Sequence, residues 1–148
     1  DAYHITAPKP GGLGAAECMR LALEDAEITA DQVAHINAHG TSTPMNDLAE
    51  SQAIAKVFGS NTPPVTSIKG TLGHSLGAAG SLEAIAACMT FEDKKIPVTA
   101  NTKELDPAIE IDVVINEPRT LGDGYIISNS FGFGGHNSCI VFAPPSYA

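Results

Sequence analysis

The chain has 148 residues, of which 43% are hydrophobic and 17% charged, the proportions of one soluble globular domain. Its formal net charge of -9, with eight Lys and Arg in all, excludes a nucleic-acid or acidic-membrane surface, since binding phosphate needs clustered cations. Cys18, Cys88 and Cys139 are odd in number, far apart and set in apolar stretches, so a disulfide framework is excluded and a reducing, cytoplasmic setting expected.

The first periodic stretch, "GGLGAAECMRLALEDAEI", repeats apolar residues every three to four positions through Leu13, Ala16, Met19, Leu23 and Ala26, which predicts an amphipathic helix. A turn at "TADQ" then leads into a short strand over Val33–Asn37. Helical spacing returns in "TPMNDLAESQAIAKVFG", through Leu48, Ala49, Ile54, Ala55 and Phe58, and Gly59 stops it. After the loop "NTPPV", "VTSI" reads as a second, buried strand. The following "SLGAAGSLEAIAACMTFEDKK" predicts a third helix, so rich in small residues that it should be buried close against another backbone. "IPVTANTKELDP" is irregular, and three strand candidates follow: "IEIDVVI", "YIISNS" and "NSCIVFA". The order αβαβαβββ predicts a layered α/β fold. No apolar run approaches the roughly 20 residues of a membrane span, and the first residues lack a signal peptide's basic and apolar regions.

Three loops stand where such a sheet binds ligands. "NAHGTSTPMND" puts His39 at the end of the first strand, followed by Gly40, Thr41 and Thr43. "SIKGTLGHSLGAAG" puts Lys69 and His74 after the second strand, among glycines that allow close approach. "SNSFGFGGHN", between the last two strands, reads as a connection longer and more apolar than a hairpin needs. Two imidazoles beside a lysine suit electrophilic stabilisation of a carbonyl oxygen gaining negative charge, and equally an acid–base pair. His35 alternates with Val33 and Asn37 inside a strand and reads as a structural histidine, while His4 and His136 read as surface or hinge residues. His35 and His39 lack the Glu and the helix of a zinc motif. No cysteine sits at a helix start that would activate it, and P-loop and dinucleotide fingerprints are absent; "GGLGAA" follows no strand.

In this order and spacing "NAHGTSTPMND", "SIKGTLGHSLGAAGSLEA" and "SNSFGFGGHN" resemble the C-terminal half of type II, elongating β-ketoacyl-[acyl-carrier-protein] synthases, and "DAYHITAPKPGG" and "EIDVVINEPR" extend the resemblance over nearly the whole chain. The resemblance implies a thiolase-type fold, in which two αβα halves pack as five layers and residues 1–148 form the second half. It implies decarboxylative condensation of a malonyl thioester with an acyl group held on a cysteine, in fatty-acid or related polyketide elongation. His39 and His74 would be the catalytic histidines, with Lys69 supporting them. Thr41 and Thr43 would contact the phosphopantetheine arm, with Phe131, Phe133 and Gly134 lining the substrate site and Phe133 as its gate. Glu50, with Asp47, would join the network around Lys69.

The resemblance further implies a structural sodium or potassium ion held by Asn37, Glu83, Ser128 and Asn129. No resident cofactor is implied beyond the phosphopantetheine carried by an acyl carrier protein. The implied partners are that carrier, the N-terminal half, and a second copy of the complete enzyme as a homodimer. The nucleophilic cysteine belongs to the N-terminal half, so this chain alone is expected to be inactive. Opening at Asp1, inside a family motif, suggests a piece of a longer polypeptide. A non-catalytic chain-length-factor-like partner and a free-standing binding module are the alternatives; the retention of His39, Lys69 and His74 speaks against the first of these.

Overall fold

A computed structural model describes residues 1–145. Helix α1 (Leu13–Asp25) starts after two glycines in left-handed conformation, Gly11 (φ 70°) and Gly12 (φ 65°). The second of these is required by packing: a Cβ at Gly12 would lie 2.0 Å from the Ala49 carbonyl oxygen of the next helix. Strand β1 (Val33–Asn37) leads to α2 (Pro44–Phe58), which has Pro at its first position and Asp47 in its first turn, and ends at Gly59 (φ 68°). Strand β2 (Val65–Thr66) is followed by the four-residue helix α3 (Lys69–Leu72), then α4 (Ala79–Asp93). A two-residue antiparallel pair, β3 (Lys95–Ile96) with β4 (Arg119–Thr120), precedes the long strands β5 (Tyr125–Gly132) and β6 (His136–Phe142).

The main sheet has the order β2-β1-β5-β6. Strand β1 runs parallel to both β2 and β5, and β6 returns antiparallel to β5. Alternation along the strands separates two cores. Ile36, Val65 and Ile127 face α1 and α2, packing with Met19, Leu23 and Ile54. Ile126 faces α4 and packs with Ala87, Phe91, Ile96, Val114 and Leu121. Helices thus cover both faces, and the αβα layering expected from the sequence is present.

Four expectations need correction. "VTSI" is strand only as far as Thr66, because Ile68 is already in helical conformation. "IEIDVVI" forms no ladder; it joins the sheet through a single bridge between Val113 and Val65, with Val65 N–H donating to the Asp112 carbonyl and Val114 N–H to that of Val65. The "SNSFGFGGHN" stretch is no long loop: β5 and β6 pair from Ile126 with Phe142 up to Gly132 with His136, leaving only Phe133–Gly135 to turn the chain. Helix α4 is buried on one side only. Ala79, Glu83, Ala87, Thr90 and Phe91 face the sheet, whereas Ile85, Cys88 and Met89 lie exposed on the other side.

Candidate active site

The C-terminal ends of the parallel strands β1, β2 and β5 lie at one edge of the sheet, and each delivers part of the site. From β1 comes His39, only 8% exposed. The Glu50 carboxylate on α2 fixes its backbone, accepting from the N–H groups of His39 and Gly40 at 2.9 Å each. Asn129 Nδ2 (3.3 Å) and Asn46 Nδ2 (3.4 Å) donate to the same carboxylate, and Asn46 also donates to Asp47 at 3.1 Å. Burial raises the Glu50 pKa, and these four donors oppose the rise.

The β2 end supplies Lys69 and His74. The Lys69 Nζ forms a buried ion pair with Glu83 Oε1 of α4 and stands 3.5 Å from His39 Nδ1. Ser130 Oγ donates to the other Glu83 oxygen at 3.3 Å. The expectation for the two glutamates is therefore corrected. Glu83, expected among cation ligands, is the lysine's partner; Glu50, expected beside Lys69, reaches it only through the backbone of His39. Asp47 is one step further out, through Asn46.

The His39 and His74 rings meet edge to face, with centroids 5.5 Å apart and planes at 86°. Phe131 from β5 closes on His39 at 5.9 Å. Burial first, then the Lys69 ammonium and His74, push the His39 pKa down to about 4, so this imidazole is neutral at pH 7. Its tautomer follows from its neighbour. The ammonium only donates, so Nδ1 accepts and the proton sits on Nε2. In His74, Nδ1 accepts from the Leu76 N–H at 3.2 Å, and its proton too sits on Nε2. Leu76 takes up φ 51°, a left-handed conformation unfavourable for leucine, to make that bond.

Both rings border a cleft of about 1060 Å³, together with Thr41, Thr43, Phe131 and Phe133. The hydroxyls of Thr41 and Thr43 are 2.9 Å apart, and Phe133 is 74% exposed. Gly134 (φ 71°), in the β5–β6 turn, donates its N–H to the Ile5 carbonyl at 2.7 Å. Lys69 stands behind His39 rather than on the cleft wall, with its Nζ turned to the imidazole.

The proposed cation ligands do not converge as side chains. Asn37 and Ser128 hydrogen-bond each other at 3.0 Å on the α4 side, Glu83 is committed to Lys69 and Ser130, and Asn129 points to α1 and α2, where it meets Glu50 and Met19. The buried Asn37 Oδ1 and Asn129 Oδ1 have no partner, but alternation of Ser128 and Asn129 along β5 puts these oxygens on opposite faces. Four side chains so divided do not fit one ion. Nor does a cysteine offer a nucleophile: burial pushes the Cys139 thiol up to about 12 and raises that of Cys18, and Cys88 lies mid-helix away from the cleft.

Sequence reasoning missed the role of Glu83, together with Ser130, Asn46 and Ser67. A signal existed for the first, since a lone carboxylate between apolar residues of a helix needs a buried cation.

Residues 1–103 match the family described as the beta-ketoacyl synthase C-terminal domain. The chain is 46% identical over 144 residues to 3-oxoacyl-[acyl-carrier-protein] synthase 2 of Staphylococcus aureus, an alignment covering 96% of this chain and 36% of that protein. A solved beta-ketoacyl synthase from Burkholderia phymatum superposes with a TM-score of 0.92 at 41% identity, over 97% of this chain and 35% of that one. The ishigamide ketosynthase/chain length factor gives 0.90 at 41% identity, over 95% and 34%. The chain spans about a third of the length of the curated relative. Together, the αβα unit matching ketosynthase structures and the family match over most of its length establish that the chain belongs to the β-ketoacyl synthase family.

Proposed function

We propose that this chain supplies the enolate-stabilising part of a condensing enzyme in fatty-acid or related polyketide elongation. The observation that carries the reading is the pair of imidazoles, each with Nδ1 accepting a bond and Nε2 left to donate, on one cleft. A malonyl thioester bound there loses carbon dioxide when its carboxylate–carbon bond breaks, and the electron pair moves toward the thioester oxygen. Two N–H donors aimed at that oxygen stabilise the charge as it develops, without delivering a proton that would quench the carbanion. The carbanion then attacks an acyl thioester and displaces the cysteine thiolate that carried it. That cysteine belongs to another part of the complete enzyme, so this chain by itself condenses nothing. Thr41 and Thr43 on the rim suit the amide-rich arm of phosphopantetheine, and Phe131 and Phe133 suit an acyl chain. The substrate carrier is an acyl carrier protein, as in the name of the S. aureus relative. We read the complete enzyme as a homodimer in the cytoplasm.

Replacement of His39 or His74 by Ala in the complete enzyme is expected to slow malonyl-thioester decarboxylation a hundredfold or more, on the order of 3 kcal/mol for one lost donor, while acyl transfer to the cysteine falls much less. Equal losses in both half-reactions would assign the histidines to nucleophile activation instead. A wild-type protein inert in both would favour the chain-length-factor-like reading, for which the ishigamide relative offers a precedent of architecture.

A further inference from the structure

Lys69 is held at hydrogen-bond distance from His39, with Glu83 fixing its ammonium from the other side. The two residues lie on different strand ends, 30 positions apart in sequence, and the ammonium sits on a long side chain. One small side chain lies between the two backbones. Ser67, 6% exposed, donates its hydroxyl to the Gly40 carbonyl at 3.0 Å and accepts the Lys69 N–H at 3.3 Å on the same oxygen. It thus joins the residue after His39 to Lys69 itself. The contact is built for this fit: Gly40 has φ 43°, and a Cβ there would lie 2.5 Å from Ser67 Cβ.

The outer side of the same segment is also fixed. Ser67 N–H donates to Thr99 Oγ1 at 3.2 Å, Asn101 Nδ2 donates to the Gly70 carbonyl at 2.7 Å, and a Cβ at Gly70 would lie 2.2 Å from the Ala100 carbonyl oxygen. Segment 99–101 therefore presses the start of α3 toward β1, and Ser67 sets the distance at which it stops.

We infer that Ser67 is a positioning residue, whose hydroxyl, bridging the Gly40 carbonyl and the Lys69 N–H, sets the Lys69–His39 spacing and so the tautomer of the His39 imidazole. This rests on the role proposed above for the histidines. Loss of the bridge frees the His39–Gly40 loop and α3 to drift apart. His39 Nδ1 then loses its donor, and the tautomer carrying the proton on Nδ1, with no donor toward the cleft, becomes populated.

The experiment uses the complete enzyme and variants of it. Ser67→Ala is expected to lower kcat for malonyl-thioester decarboxylation roughly tenfold, as for one lost buried hydrogen bond, with KM and acyl transfer near wild type. The charged and titratable groups around the His39 ring are Lys69, Glu83 behind it and His74 in front, with Glu50 on its backbone. Since the ammonium helps hold His39 neutral, its retreat should also move the acid limb of the rate profile to higher pH. In a Lys69→Met/Glu83→Gln background, where both charges of the buried pair are replaced by neutral side chains, Ser67→Ala should cost little more.

Equal, additive losses in both backgrounds, an unmoved acid limb, or a parallel loss of acyl transfer would each overturn the inference, because each describes a residue that only supports the fold. Should Ser67→Ala misfold, Ser67→Cys keeps the volume with a weaker bridge: slowed decarboxylation at unchanged Tm supports the role, and full rate overturns it. Failure of the histidine reading would appear separately, as decarboxylation that survives His39→Ala.

Discussion

At the residue scale, His35 shows how burial decides the character of an imidazole. It is 1% exposed, bonds Thr66 Oγ1 through Nε2 at 2.8 Å, and has a buried Nδ1 with no partner. Burial pushes its pKa down to about 4 from an ordinary 6.5. As pH falls from 6.5 to 4 the unfolded chain takes up a proton at this position and the native one does not, so the histidine's contribution to stability declines across that window and is constant below it. The full difference is about 3 kcal/mol. Urea unfolding of the complete protein at pH 7 and pH 4.5, compared with His35→Asn, should show a shallower acid loss in the variant; identical pH slopes would refute the assignment. His35 was legible in sequence as structural, because its place inside an alternating strand determines its surroundings. The two glutamates were not. Glu50 and Glu83 each lie on a helix at some distance from Lys69, and only the stacking of α4 against the sheet decides that the second of them reaches the ammonium.

At the scale of elements, periodicity located α1, α2, α4, β1, β5 and β6, each of which has one or two faces packed over several residues. The short pieces were illegible for physical reasons. Strands β3 and β4 are two residues each, too short for any alternation to register, and "IEIDVVI" looks like a strand although it makes one bridge to the sheet. Glycines misled in the "SNSFGFGGHN" stretch, where Gly132 is a member of the β5–β6 ladder rather than a loop residue. Gly12 carries a sharper consequence. With φ 65° and the Ala49 carbonyl oxygen 2.0 Å from any Cβ, Gly12→Ala must push α1 and α2 apart, at a cost of about 3 kcal/mol or more. Gly122→Ala, which meets nothing within 4 Å, is the control and should be neutral. Thermal unfolding of both variants decides it: similar Tm values would mean that the helices do not pack as closely as described.

At the scale of the whole molecule, the outer side of α4 is the conspicuous feature. Ile85 and Met89, one helical turn apart, are 57% and 54% exposed, with Cys88 exposed between them. A helix apolar all round is at home between two layers, and here one layer is present. Prepared alone, the chain is expected to associate and to bind apolar dyes, and the double substitution Ile85→Glu/Met89→Lys should reduce both without altering helix content. Light scattering showing a wild-type monomer would contradict this. The sheet order has a separate consequence, for folding kinetics. Strand β1, the carrier of His39, pairs with β5 across 91 residues, as the bond between Asn37 and Ser128 shows. Until residues 125–132 have left the ribosome, β1 has one open edge and His39 has neither Phe131 beside it nor Asn129 behind its glutamate. The site therefore assembles late in synthesis, and a nascent chain stalled before β5 holds an unpaired parallel edge that only a chaperone or a second chain could cover.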